Sequence, residues 1–338
     1  MFKVNGKICK TLKEVAEIAP YEVAEFLEEW YSSGDYVTAF TSGSTGAPKK
    51  INLLKSDMES SARITNRFFN ITESSKLLLC LSPNYIAGKM MIVRWLLSGA
   101  EIIADNPTSN PLLNIEIEID FAAMVPSQVI NILDSPITAK RLRLIKYLII
   151  GGSPLDLGTE LKLKEIKTAC YATYGMTETL SHVALRHINY DNEYFAVGDI
   201  TFSLDNRGCL VIDVPHLSVK RVVTNDMAKL SGKRNFIWLG RYDNVINSGG
   251  VKISPEETEK LLRPYIKERF YIIGMPDKIW GEKSVLVIEG DKWGNSRIDS
   301  IKKVFGKELH PYKVPKEILF LNSFSETLSG KVIRILPQ

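Results

Sequence analysis

The run Lys146-Tyr-Leu-Ile-Ile150, delivered straight into Gly151-Gly152, constrains this chain more than any other stretch. A short segment this apolar has no polar face to give to water, so it reads as a strand buried on both sides. That is the setting of a parallel sheet covered by helices, with the glycines opening a loop at its carboxyl edge. The surrounding pattern agrees. Tyr36 to Phe40 reads as a strand, 56–69 as a helix, Leu77 to Leu81 as a strand, about 86–98 as a helix and about 100–104 as a strand. A helix at about 156–166 and a strand at about 168–173 follow the apolar run. Strands alternating with helices argue for an α/β sheet.

Thr11-Leu-Lys-Glu14 is a capping box, in which hydroxyl and carboxylate satisfy each other's orphan backbone N–H groups. It predicts a helix start, a break near Pro20, and a second helix with Pro20 in its first turn. From about residue 195 short β runs take over, with turns at Asp205-Asn-Arg-Gly208 and Ser231-Gly-Lys-Arg234 that suggest hairpins. Beyond Arg241, Ser254-Pro-Glu-Glu257 is a second capping box with Pro255 at the first helical position. Strands at about 269–274, 284–289 and 317–321 and a helix at about 297–309 complete a small α+β region. A length of 338 residues fits two domains. They are expected as 1–241, a large α/β domain with a β-rich part, and 242–338, a small α+β domain.

Composition excludes more than it names. Hydrophobic residues make up 45% and charged residues 24%, and the net charge is +4, too mild for a nucleic-acid surface. Cys9, Cys80, Cys170 and Cys209 are scattered without a CxxC pair, and the four histidines have no metal-ligand spacing. The start MFKVNGKICK lacks the apolar stretch of a signal peptide, and charged and turn residues interrupt the most apolar segment, 76–104. The expectation is a cytoplasmic protein with no stable membrane insertion and no nucleic-acid partner; homo-oligomerisation is left open.

Four segments could carry chemistry. Thr41-Ser-Gly-Ser-Thr-Gly-Ala-Pro-Lys-Lys50 follows a strand. Its small hydroxyl residues and glycines would let backbone N–H groups close on a phosphate, although the spacing is not that of a Walker loop. Taken alone it is a polar turn. Tyr171-Ala-Thr-Tyr-Gly-Met-Thr-Glu-Thr179 puts an aromatic, a hydroxyl and a carboxylate at a strand end, suited to a base, a phosphate and Mg²⁺. Each of these residues alone is more often an ordinary loop or rim group. Gly240-Arg-Tyr-Asp-Asn-Val-Ile-Asn-Ser-Gly-Gly-Val-Lys-Ile253 has a glycine pair that serves equally as a hairpin turn, and Ser329-Gly-Lys331 offers a late lysine.

In this order and at this spacing the four segments resemble the adenylate-forming superfamily of acyl- and aryl-CoA ligases, from about residue 36 to 334. The resemblance implies ATP and Mg²⁺ as cofactors, coenzyme A as co-substrate, and small molecules as the partners. It assigns Ser42, Gly43, Ser44, Thr45, Gly46 and Lys49 to the ATP phosphates, and Gly151, Gly152 and Ser153 to the floor beneath adenine and acyl group. Tyr174 would stack on the adenine, Gly175 and Met176 would belong to the ATP site, Thr177 would contact phosphate, and Glu178 would bind Mg²⁺. Asp226 would accept the ribose hydroxyls with support from Arg241; the chain reads Thr224-Asn-Asp226 where the family usually has Thr-Gly-Asp. Asp243 would be the hinge of a mobile small domain, Lys331 the adenylation lysine, and Ser248, Gly249 and Gly250 the lining of a pantetheine tunnel. Relatives usually carry about one small domain's worth of residues more ahead of the first loop. The large domain is therefore expected to be shortened at its N-terminus.

The stretch from Leu81 to Ala100 is similar to that of 2-succinylbenzoate–CoA ligases of menaquinone biosynthesis, and so, less closely, is 177–185. On that resemblance Arg94 would attract the acid's second carboxylate, with Lys89 and Tyr85 nearby. A buried carboxylate needs a cation. The competing expectations are an arginine snorkelling from an apolar helix, a ligase for another acid, and a non-catalytic nucleotide-binding relative.

Overall fold

The computed structural model of the chain describes residues 1–40, 50–326 and 332–336. Its contacts divide it into two compact units. The first comprises Met1–Phe202, Ile212–Val222 and Gly232–Asn235, the second Ser203–Val211, Val223–Ser231 and Phe236–Gln338.

In the first unit the strand Ile145–Ile150 pairs in parallel with Ile119–Met124 on one side and Ala169–Gly175 on the other. Parallel pairing continues through Lys76–Leu79, Glu101–Ala104 and Phe2–Val4. Antiparallel strands flank this run: Lys7–Cys9 on one edge, and His182–His187 then Tyr194–Ala196 on the other. Leu148 and Ile150 contribute to a buried cluster with Leu78, Ala122, Val129 and Cys170. The both-sides-buried expectation therefore holds, and with it the mixed α/β class. All four cysteines are free and buried, and burial pushes the Cys80 and Cys170 thiols up to about 12.

Helix Ile86–Ser98 matches its expected span and ends on Gly99 in a left-handed conformation, φ 69°. The Thr11 hydroxyl caps Leu12–Ala16 by accepting the Glu14 N–H at 3.2 Å, but the Glu14 carboxylate accepts from Lys10 N–H, one residue earlier than a reciprocal box requires. Pro20 is the N-cap of Tyr21–Tyr31 rather than part of its first turn. Three features go beyond the sequence reading. Phe2–Val4 and Lys7–Cys9 form a hairpin, Ile119–Met124 is a central strand, and Tyr36–Phe40 pairs with Lys50–Leu54 in a separate two-stranded sheet.

In the second unit Gly281–Glu289 is the central strand, antiparallel to Phe270–Asp277 and parallel to Glu317–Leu321. Helices Pro255–Leu262 and Asn295–Glu308 bury Leu262, Ile301 and Phe305 against Ile272, Leu286 and Ile288. Ser254 caps the first of these helices, with Pro255 at its first position as expected. Among the described residues no helix is long and apolar enough to cross a membrane.

Candidate active site

At the carboxyl end of Ile145–Ile150 the Gly151 N–H donates to the Met124 carbonyl at 3.1 Å. A Cβ at Gly151 would lie 2.1 Å from the Thr173 hydroxyl, and Gly152 takes φ 96°, so neither position accepts a side chain without strain. Next in the sheet, Ala169–Gly175 presents Tyr174, whose ring lies 5.9 Å from that of Tyr194. A Cβ at Gly175 would come within 2.3 Å of the Ser181 carbonyl, so glycine is required for the chain to fold back on itself. That return is wound around Thr179, whose hydroxyl accepts the Met176 N–H at 3.0 Å and lies 2.9 Å from the Ser181 carbonyl. The short 3₁₀ turn Thr177–Thr179 leaves Thr177 half-buried and Glu178 exposed, with Leu180 strained at φ 63°. The nucleotide-handling candidates Gly151, Gly152, Ser153, Tyr174, Gly175, Met176, Thr177 and Glu178 thus sit at the carboxyl ends of two adjacent parallel strands and on the loops that leave them.

The same return ends beside Arg94. This arginine lies on helix Ile86–Ser98, is 2% exposed, and donates from Nη2 to the Ser181 hydroxyl at 2.7 Å. Nη1 reaches only the Met91 sulfur, and Nε has no partner. Among the described residues no carboxylate lies within ion-pair distance of it. Burial lowers the guanidinium to about 9, so it keeps its charge at neutral pH. His182 is also buried: its ring nitrogens lie 3.3 Å from the Ser181 and Thr65 hydroxyls. Desolvation first and the Arg94 charge second hold its pKa down at about 3, so the ring is neutral. Ser181, His182 and Thr65 are not among the site residues expected from sequence; the motif run at 177–185 contains the first two, whereas Thr65 comes from the distant helix Lys55–Phe69 and carries no local signal.

Lys89 is placed differently. It pairs with Glu29 at 3.5 Å and stands 4.5 Å from the centre of the Phe26 ring, on the helix Tyr21–Tyr31. Five residues along a helix turn Lys89 and Arg94 to different faces, and the described contacts of Lys89 are structural. Tyr85 is the N-cap of the Arg94 helix and is 37% exposed. The loop before it is held against the helix at Gly88, where a Cβ would lie 2.3 Å from the Ser82 carbonyl.

In the second unit Asp226 faces Arg241 across the antiparallel pair Arg221–Leu230 and Asn235–Arg241. It is buried, accepts the Trp238 indole N–H at 3.2 Å, and lies 3.8 Å from the Arg241 guanidinium. Arg241 pairs in turn with Asp243 at 3.1 Å. Asn225, at the position where glycine was expected, donates to Asp243 at 3.1 Å and accepts from Arg207 at 2.8 Å. The substitution therefore adds a bridge to the expected hinge residue. Ser248 and Val251 close a two-residue turn in which Gly249 and Gly250 take φ 57° and 81°, both left-handed as a tight hairpin requires. A Cβ at Gly249 would meet the Trp280 ring at 2.7 Å. Ser42, Gly43, Ser44, Thr45, Gly46, Lys49 and Lys331 lie outside the described residues.

A profile of the family described as AMP-binding enzyme matches residues 11–222. The chain belongs to the AMP-binding enzyme family. A solved acyl-CoA synthetase (AMP-forming)/AMP-acid ligase II-like protein from Dyadobacter fermentans is 33% identical, with a TM-score of 0.64 and 93% of this chain and 92% of that one covered. The 2-succinylbenzoate–CoA ligase of Enterococcus faecalis is 23% identical over 87% of this chain and 67% of its own length. The o-succinylbenzoate CoA synthetase of Bacillus subtilis, solved with its acyl-adenylate intermediate, shares the fold at a TM-score of 0.73 and 20% identity, covering 88% of this chain and 67% of that one. This member of the AMP-binding family thus spans about two thirds of those two relatives and nearly all of the first.

Proposed function

We propose that this chain is an AMP-forming acid–thiol ligase that converts 2-succinylbenzoate to its coenzyme A thioester, a step of menaquinone biosynthesis. In the first half-reaction an oxygen of the succinyl carboxylate bonds to the α-phosphorus of ATP and pyrophosphate leaves, giving the acyl-adenylate. In the second, the thiol of coenzyme A loses its proton and attacks the acyl carbon, and AMP leaves as the thioester forms. Both ATP and coenzyme A are intracellular, which puts the reaction in the cytoplasm.

The single observation that carries the acid is Arg94: a buried cation whose described partners, the Ser181 hydroxyl, the Met91 sulfur and the Phe121 ring, are all uncharged. The ring carboxylate of 2-succinylbenzoate is the anion that is not activated, and pairing it with Arg94 satisfies both charges. Neutral His182 and Ser181 leave that role to the arginine. The curated relatives named 2-succinylbenzoate–CoA ligase support the same acid.

Tyr174 would stack on adenine above the Gly151-Gly152 turn. Thr177 would donate to a phosphate oxygen. Asp226, already oriented by Trp238, would accept the ribose hydroxyls. Magnesium fits the residues present: Glu178 is an exposed carboxylate on the turn that carries Thr177. An ion held by one carboxylate and the nucleotide's oxygens is the usual arrangement for Mg²⁺. When bound it offsets the phosphate charge that the incoming carboxylate must approach. Lys331 would supply the second positive charge at the reacting carboxylate and α-phosphate. We take 242–338 to turn about Asp243 between the half-reactions, withdrawing Lys331 and presenting Ser248, Gly249 and Gly250 to the pantetheine arm.

Pyrophosphate exchange into ATP, measured with purified protein, Mg²⁺ and a panel of acids, tests this reading. Exchange with 2-succinylbenzoate supports it. Exchange with monocarboxylic acids alone would overturn the acid, and none with any acid would overturn the ligase.

A further inference from the structure

Residues on both sides of 327–331 are tied into the second unit. Glu326 bridges Val332, and the Ile333 N–H donates to the Ser325 carbonyl at 2.8 Å. Val332 packs on a small cluster of Tyr271, Val285, Val287 and Phe324. Beyond it, Arg334 makes a two-pronged pair with Glu259, Nη1 to Oε1 at 2.7 Å and Nη2 to Oε2 at 2.9 Å. Arg334 also donates to the Ile272 carbonyl at 3.2 Å, and the Tyr271 hydroxyl donates to the Ile335 carbonyl at 2.6 Å.

Glu259 is 8% exposed and accepts the Ile272 N–H at 2.6 Å, so its carboxylate is fixed by a strand as well as by the arginine. It sits on helix Pro255–Leu262, whose first turn also meets the start of the expected hinge. There the Ser254 hydroxyl donates to the Leu239 carbonyl at 2.9 Å, and Glu256 accepts from Asn244 at 2.5 Å. Glu256 lies 3.8 Å from Arg334 as well. One helix thus holds both the hinge region and the segment that follows Lys331. A planar guanidinium bound by both prongs fixes direction as well as distance, which a single ammonium contact does not.

We propose that Arg334 is a positioning residue for Lys331: its pair with Glu259 fixes the segment three residues beyond the lysine and so sets how well Lys331 meets the reacting groups. The inference rests on the adenylation role given to Lys331 above. Because a misplacement of about 1 Å at a reacting group can cost on the order of 10²-fold in rate, loss of the anchor lowers adenylation specifically. The thioester step, from which Lys331 is withdrawn, is spared.

The test uses the full chain and two separate assays: single-turnover pyrophosphate release from ATP and 2-succinylbenzoate, and thioester formation from chemically made acyl-adenylate and coenzyme A. Arg334→Met is expected to slow pyrophosphate release by roughly 10–100-fold while leaving the acid and ATP requirements and the thioester step nearly unchanged. Arg334→Lys, which keeps the charge but not the two-pronged geometry, should recover part of the rate. The double variant Glu259→Gln/Arg334→Met removes the orphaned carboxylate charge but keeps an acceptor for Ile272, so it should regain thermal stability without regaining the rate. An equal fall in both half-reactions, a rate that returns with stability in the double variant, or an unchanged rate would each overturn the anchor. Lys331→Ala is run beside them. If it retains adenylation, the lysine's role and the inference fall together; if it loses adenylation while Arg334→Met does not, only the anchor falls.

Discussion

Two arginines, one in each unit, differ in what surrounds them. Arg334 meets Glu259 by both prongs and a backbone carbonyl besides. Arg94, more deeply buried, has a serine hydroxyl, a thioether sulfur and a guanidinium N–H left without a partner. A protein interior seldom keeps a charge it has not neutralised, because desolvation costs several kcal/mol that only an opposite charge recovers. The complete pair at Arg334 therefore reads as architecture. The incomplete one at Arg94 reads as a site that a ligand's carboxylate completes. Lys89, on the same helix as Arg94, supplies the internal contrast: its own carboxylate, Glu29, is already there.

The contrast has opposite consequences for stability, and this is the larger of two effects expected on folding. Arg334→Met leaves Glu259 buried and unpaired. It should cost about 1–3 kcal/mol, less than a fully enclosed pair because Arg334 is partly exposed. Arg94→Met removes an unneutralised charge and should leave the denaturation midpoint unchanged or raise it. Denaturant melts of the two variants decide the matter, and an equal loss in both would break the distinction.

A smaller effect sharpens the Arg94 side. With its folded pKa near 3, His182 stays neutral in the fold, whereas the unfolded chain takes up a proton near pH 6.5. The unfolded state then binds more protons, so stability is lost as pH falls from about 6.5 towards about 3. His182→Gln should flatten that acid limb of the stability profile. A limb of the same steepness in the variant would mean that His182 is not held neutral by burial and Arg94.

Much of this arrangement is legible in the chain because its signals are local. Helix Ile86–Ser98 announces itself by an apolar run closed by Gly99, and Ser254-Pro255 marks the start of Pro255–Leu262. Ile119–Met124 gives no such signal. Ile-Asp-Phe-Ala-Ala-Met has neither alternation nor a run of β-branched residues, and its strand state is imposed by partners on both sides. Asn5-Gly6, with φ 48° and 78°, is a recognisable hairpin turn, but its three-residue strands are too short to show a period. At the site, residue types and motif order pointed to Tyr174, Asp226 and Arg94. The partners were hidden because they come from far along the chain: Glu29 for Lys89, Ser181 for Arg94, Glu259 for Arg334.

The most direct test of the Arg94 assignment compares 2-succinylbenzoate with 3-benzoylpropanoate, which lacks only the ring carboxylate, in the native chain and in Arg94→Met. Removing one partner of a buried, hydrogen-bonded charge pair costs about 2–5 kcal/mol. The native protein should therefore prefer the dicarboxylate in kcat/KM by roughly 30-fold or more, and Arg94→Met should erase most of that preference while leaving the ATP requirement unchanged. Equal use of the two acids by the native protein, or a preference that survives the substitution, would contradict the assignment.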